Sequence, residues 1–208
     1  MTNFYYVRHC ETDMNTKRHL VGGQSNLTPP TERGLVQAKQ FGIYLREADI
    51  VPDAIYTSGA VRTNATARVA LRVAGISMDF IEDERLLEMS QGIMEGKPRE
   101  LVYAQANKDK YQIETMHGKF PGGDSLYDLQ TRNREFMDEK HIEHPTGLVL
   151  VFGHGLAIRA LAGQVRGYSR EQILGEDMDN VSLTRIDVTD EKPEVIYTAK
   201  NVIRQESV

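Results

Sequence analysis

Short apolar runs alternate with longer amphipathic stretches along the chain. Phe4–Val7 is a run of aromatic and β-branched residues that reads as a buried strand ending at Arg8-His9. Thr28-Pro29 predicts a helix start, because Thr is a good N-cap and Pro suits the first helical position. Leu35, Ala38, Phe41 and Leu45 give that helix one apolar face. Ala54–Thr57 is a second strand, followed by Ser58 and an alanine-rich helix from about Ala60 to Ala74. Met78–Ile81 reads as a third strand. Leu148–Phe152 is wholly apolar and runs into Gly153-His154-Gly155 and a helix through Leu161. Val181–Val188 and Val195–Thr198 complete the set. Strands alternating with helices predict an α/β fold, a three-layer αβα sandwich with a mostly parallel sheet of about six strands.

The stretch from about Ser90 to Ser125 breaks this rhythm with short helical pieces, many polar residues and a Pro121-Gly122-Gly123 turn. It reads as a small insertion over one edge of the sheet, a lid within a single domain spanning 1–208. The following helix should begin with Asp124 or Ser125 as N-cap, with Asp128 three residues after Ser125.

Composition narrows the partners. The 208 residues carry 25 Lys and Arg against 30 Asp and Glu, a net charge of −5, and no basic run appears. A dedicated nucleic-acid binder is therefore not expected. A compact basic pocket for a small anion stays compatible, since one pocket barely moves the total. A chain of this length can bury roughly 70% of its unfolded surface, so the core needs no staple. The single cysteine excludes an internal disulfide or a Cys-based zinc site. The first residues lack a signal-peptide core, and the longest apolar stretch, Gly147–Gly163, is interrupted by His154 and Arg159. A cytoplasmic protein without membrane contact is expected.

Ligands of parallel α/β sheets sit beyond the carboxyl ends of the strands. Three predicted strand ends deliver Arg8 and His9, Arg62, and His154 to that edge. An Arg at a strand end is usually solvated and a lone His usually structural, but two of each converging make an anion pocket. The Gly153-His154-Gly155 turn adds helix N-terminal N–H groups and close backbone approach at Gly155. Phosphoryl oxygens match the Arg forks. Cys10 is a weak nucleophile here, because a cysteine phosphatase needs a cradle of backbone amides ending in Arg. A neutral imidazole can attack phosphorus, and a nearby acid would then protonate the leaving alkoxide. Glu88 lies before the insertion, although its residues alone favour a solvated charge. His141 and His144 could pair on a metal but read better as a solvated helix end; His19 and His117 are isolated.

Tyr5-Tyr6-Val7-Arg8-His9-Cys10-Glu11-Thr12 with Asn15 closely resembles the signature of the histidine phosphatase superfamily, the phosphoglycerate-mutase-like proteins. Leu27-Thr28 with Gly34 and Gln37-Ala38, Tyr56-Thr57-Ser58 with Arg62 and Thr66-Ala67, Leu87-Glu88 with Glu95-Gly96-Lys97, and Gly153-His154-Gly155 with Ile158-Arg159 resemble its other motifs in order. The resemblance implies that His9 is the phosphorylated nucleophile and that Arg8, Arg62 and His154 bind the phosphoryl group, and a protonated His154 is expected to help neutralise its charge in the transition state. The resemblance also implies Glu88 as general acid, with Asn15, backbone near Gly22 and Gly23, and Gly155 on the substrate side. Three features depart from the pattern: Cys10 replaces a Gly, Met14 stands where an aromatic is common, and Gly22-Gly23 is shifted by about one residue.

The expected activity is hydrolysis of small phosphomonoesters through a phosphohistidine, with no metal and no cofactor. A phosphoglycerate mutase and a non-catalytic phospho-ligand-binding module are the alternatives. Mutases of the family carry a larger insertion and a longer C-terminal cover, whereas the nine residues Lys200–Val208 follow the last predicted strand. The partner should be a small phosphorylated molecule; assembly into a homo-oligomer stays open.

Overall fold

The apolar run near the N-terminus forms β1 (Thr2–Arg8), and the strongest run forms β4 (Gly147–Gly153) beside it, parallel and in register from Thr2 opposite Gly147 to Arg8 opposite Gly153. In this computed structural model, which describes residues 1–203, β2 (Ala54–Thr57) flanks β4 and the two-residue β3 (Ile81–Glu82) closes that edge. β5 (Leu183–Val188) and β6 (Pro193–Lys200) close the other edge, giving the order β3-β2-β4-β1-β5-β6. The β1–β4, β4–β2 and β2–β3 pairs are parallel, while β1–β5 and β5–β6 are antiparallel. The mostly parallel sheet is as expected. Residues 204–208, the greater part of the short tail, lie outside the described residues.

Alternation along the central strands sends side chains to two opposite layers. Val149 and Val151 join Phe4, Tyr6, Phe136 and Leu161 in one core, while Leu150 and Phe152 join Val7, Phe41 and Leu71 in the other. The first core lies under α6 (Leu126–Glu143) and α7 (Gly155–Arg166), and the second under α2 (Glu32–Glu47) and α3 (Val61–Ala74). The short helices α1 (Asp13–Thr16), α4 (Arg99–Val102), α5 (Gln105–Tyr111) and α8 (Arg170–Gly175) lie in the connections. Val21, Met94, Val102 and Phe120 form a separate small core linking the 90–125 segment to the loop after α1.

Three sequence expectations shift. The first long helix starts at Glu32 with Thr31 as its N-cap, accepting from the Gly34 N–H at 2.9 Å, and not at Thr28-Pro29. Thr28 and Pro29 each precede a proline, which disfavours helical backbone. The third strand is only Ile81–Glu82, because Met78 and Ile81 are exposed at an edge with nothing to bury them. The last strand is longer than expected, Pro193–Lys200. Ser125 is the N-cap of α6, closing a reciprocal capping box with Asp128.

Candidate active site

Parallel pairing in register brings the carboxyl ends of β1, β4 and β2 side by side, so His9, His154 and Ser58 become neighbours. The His9 N–H donates to the Gly153 carbonyl at 2.9 Å, and the Asn180 side chain donates to the His9 carbonyl at 2.9 Å. The His9 ring is buried, with Nδ1 2.7 Å from the Cys10 carbonyl. A carbonyl only accepts, so Nδ1 carries the hydrogen and Nε2 holds a free lone pair. Burial first, then the positive Arg62 and Arg8, hold the His9 proton affinity well below the ordinary histidine range.

His154 is the N-cap of α7 and is fully buried, its ring edge-on to His9 with centroids 5.3 Å apart. Arg62 Nη2 lies 3.0 Å from its Nδ1; guanidinium can only donate, so Nδ1 is bare. Nε2–H therefore donates to Ser58 Oγ at 2.8 Å. Ser58 donates to Thr63 Oγ1 at 2.9 Å, and Thr63 to the Ala60 carbonyl at 2.8 Å. His154 is neutral here, which corrects the expectation of a protonated ring. Burial is the main cause, reinforced by Arg62 and by the other groups around it.

The two arginines are held by carbonyls. Arg62 Nη1 donates to the Ser25 carbonyl at 2.8 Å, and burial pulls its pKa down to about 10. Arg8 Nη1 donates to the Met178 carbonyl, while its buried Nε has no partner. Glu88 is close enough to oppose the lowering of both guanidinium groups. Its Oε1 accepts from the Met89 and Ala157 N–H groups at 2.9 and 3.2 Å, and its Oε2 from Leu156 N–H at 3.1 Å. The first-turn amides of α7, read from the sequence as an anion site, hold Glu88 instead.

The remaining expected residues divide. Asn15 Oδ1 accepts from the Thr12 N–H and hydroxyl and from Asn180, at 3.0, 3.1 and 3.3 Å, so it braces the loop after β1. The Gly22 carbonyl accepts from Ser25 Oγ, within the loop whose Ser25 carbonyl holds Arg62. Gly23 has φ +55° and lies against the Glu95 carboxylate, where a Cβ would overlap. Gly155 makes room for Arg8, since a Cβ there would sit 3.2 Å from Arg8 Nε. Cys10 turns into the core beside Val7 and Phe41, and burial pushes its thiol up, which disfavours a thiolate. His141 faces Thr2 at 2.8 Å and His144 faces the Tyr56 hydroxyl at 3.1 Å, so the pair diverges. His19 is exposed, and His117 lies against the Tyr127 ring. No cluster of three or more His, Cys, Asp or Glu able to hold a metal occurs among the described residues.

Sequence reasoning missed Asn180, Thr63, Glu95, Asp124 and Arg132. Asn180 and Arg132 act through partners distant in sequence, Thr63 acts through the nearby Ser58 and Ala60, and Glu95 and Asp124 stand in stretches that the sequence ties to a motif and to a helix cap, not to these contacts. No described helix is long and apolar enough to cross a membrane.

Comparison with known proteins gives this geometry a lineage. "Probable phosphoglycerate mutase GpmB" of Salmonella choleraesuis (strain SC-B67) is 30% identical over 190 residues, covering 90% of this chain and 85% of that protein. The solved Bacillus stearothermophilus YhfR superposes with a TM-score of 0.84 at 26% identity, covering 97% and 98% of the two chains. A mycobacterial glucosyl-3-phosphoglycerate phosphatase solved with VO3 shares the fold at a TM-score of 0.80 and 22% identity, covering 96% and 99%. The model of the histidine phosphatase superfamily (branch 1) matches residues 4–200. Two histidines facing each other across the ends of β1 and β4 thus sit in a chain that, over almost its whole length, belongs to the histidine phosphatase superfamily.

Proposed function

We propose that the chain hydrolyses phosphomonoesters of small metabolites through phosphate carried on His9, without a metal or cofactor. The observation that carries this is the His9 ring: Nδ1 is committed to the Cys10 carbonyl, leaving the Nε2 lone pair free on a ring near enough to Arg62 and Arg8 for both positive charges to act on it. In the first step Nε2 attacks phosphorus as the ester P–O bond breaks, and Glu88, in its acid form, protonates the leaving oxygen. Arg8 and Arg62 carry the negative charge of the transferring group. In the second step the Glu88 carboxylate takes a proton from water. The water oxygen bonds to phosphorus and the P–N bond returns its electron pair to Nε2. His154 supports this without a charge of its own, by receiving Arg62 and fixing that guanidinium.

The 90–125 segment acts as the cover that selects the substrate. A cytoplasmic setting fits the same activity. Labelling with a ³²P-monoester should give an acid-labile linkage on the wild-type chain, and His9→Ala should remove both label and turnover. Full activity in that variant, or label on Cys10, would overturn the assignment.

A mutase is the second reading, favoured by the name of the 30% identical relative. Against it, four of the five Lys and Arg residues of the insertion are engaged by neighbours, leaving only Lys97, 3.9 Å from the Met94 sulfur, without an acidic or aromatic partner among the described residues. Lys108 pairs with Glu114 and Lys119 with Asp128, each at 2.8 Å, while Arg99 and Lys110 lie over Tyr103 and Tyr111. A phosphoglycerate carboxylate would need such a cation. Rapid isomer exchange of primed phosphoglycerate with negligible free phosphate would favour the mutase; no turnover on any phosphorylated metabolite would favour a binding module.

A further inference from the structure

We propose that Arg132, on α6, is the positioning residue for the acid. Its guanidinium fixes the backbone that carries Glu88 and ties it to the neck of the insertion. This rests on the assignment of Glu88 as general acid. Arg132 Nη1 lies 2.6 Å from both the Arg85 and Leu87 carbonyls, and Nη2 lies 3.0 Å from the Glu88 carbonyl and 3.2 Å from Asp124 Oδ2. One side chain thus takes three carbonyls from four consecutive residues.

Leu86 is buried in the first core and Arg85 pairs with Asp83 and Glu139, but the main-chain carbonyls of the segment have little else to hold them. Beyond the single turn Glu84–Leu86 the segment belongs to no helix or strand, and no other donor reaches those three carbonyls among the described residues. Buried carbonyls need partners, and a planar fork with several donors serves four oxygens where a lysine ammonium would serve fewer. The Arg132 side chain is only 19% exposed, so these bonds are largely shielded from water. Glu88 is therefore gripped from two sides. The first turn of α7 holds its carboxylate, and Arg132 holds its main chain.

Asp124 extends the grip to the insertion. Its carboxylate accepts from the Ser90 N–H at 3.0 Å while its own N–H donates to the Ser90 carbonyl at 2.9 Å, closing the neck where the insertion leaves and rejoins the fold. Gly92 and Gly123 are packed against the facing backbone there, and a Cβ at Gly92 would overlap the Pro121 carbonyl. Arg132 joins this neck to the acid, so the placement of the insertion and the placement of Glu88 are mechanically linked.

The test is a leaving-group series in single-turnover mode, with alkyl phosphates and activated aryl phosphates, on the full chain. Arg132→Met should lose on the order of tenfold to a hundredfold on alkyl phosphates, less than acid catalysis itself contributes, and much less on aryl phosphates. Arg132→Lys should recover part of the loss. Placed on Glu88→Gln, Arg132→Met should add no more than about twofold, because residues acting through one another are not additive. Equal loss on both substrate types, or full additivity with Glu88→Gln, would overturn the proposal. Should Arg132→Met fail to fold, Arg132→Lys and Asp124→Asn carry the same test, and an unaltered leaving-group dependence in both would also overturn it. If Glu88→Gln itself shows no leaving-group dependence, the acid assignment falls first, whatever Arg132 does.

Discussion

Single side chains decide which nitrogen of each histidine is available. His9 points Nδ1–H at a carbonyl and offers Nε2; His154 does the reverse, giving Nε2–H to Ser58 and receiving Arg62 at Nδ1. The nucleophile must be neutral, and its proton affinity is held well below 6.5. The His9 limb of a kcat/KM profile, after correction for the substrate phosphate's own ionisation near pH 6, should therefore fall below pH 6.5. An inflection for His9 at or above that value would contradict the buried, arginine-flanked ring. Ser58→Ala leaves the buried Nε2–H of His154 without an acceptor. It should cost about 1–3 kcal/mol in urea unfolding and also lower kcat/KM as Arg62 loses a fixed partner. Gly155→Ala would bring a Cβ to 3.2 Å from Arg8 Nε. KM should rise with little change in thermal midpoint, whereas unchanged kinetics would mean that Arg8 has room to spare.

Helices and strands set the frame in which those side chains meet, and local chemistry explains most of their limits. Ser125 and Asp128 satisfy each other's backbone N–H groups at the start of α6, a pairing visible from spacing alone. Ser125→Ala should lower stability by about 0.5–2 kcal/mol, read by urea denaturation. Because α6 carries Arg132 seven residues further on, alkyl-phosphate turnover should drop as well. The shift of α2 from Thr28 to Glu32 has an equally local cause in the Pro29-Pro30 pair. The short β3 does not, because its length depends on having only one neighbour in the sheet.

Across the whole molecule, burial of two neutral histidines couples folding to pH. In the native state neither ring binds a proton readily, whereas in the unfolded chain both take one up near pH 6.5. Their contribution is complete above that pH and is lost progressively as pH falls below it, toward the depressed native values, with a slope of up to about 1.4 kcal/mol per pH unit for each ring. Urea midpoints measured from pH 8 down to pH 5 should fall accordingly, and His154→Asn should flatten the dependence. A stability curve indifferent to that substitution would mean that His154 is protonated in the folded protein.

By itself the amino-acid sequence determined the alternation of strands and helices, the order of the motifs, and the presence of Arg8, His9, Arg62 and His154 at strand ends or helix starts. These are local properties, written in apolar periodicity, caps and short spacings. Tertiary structure alone decided how the groups are used. Arg62 reaches His154 across 92 positions, Glu88 reaches the amides of α7 across 68 and 69, and Arg132 reaches the acid segment across 44 to 47. Whether a histidine is charged, an amide is free for an anion or an arginine is solvated depends on what lies within about 3 Å of it in space. Parallel pairing of β1, β4 and β2 fixes that distance, and no spacing along the chain encodes it.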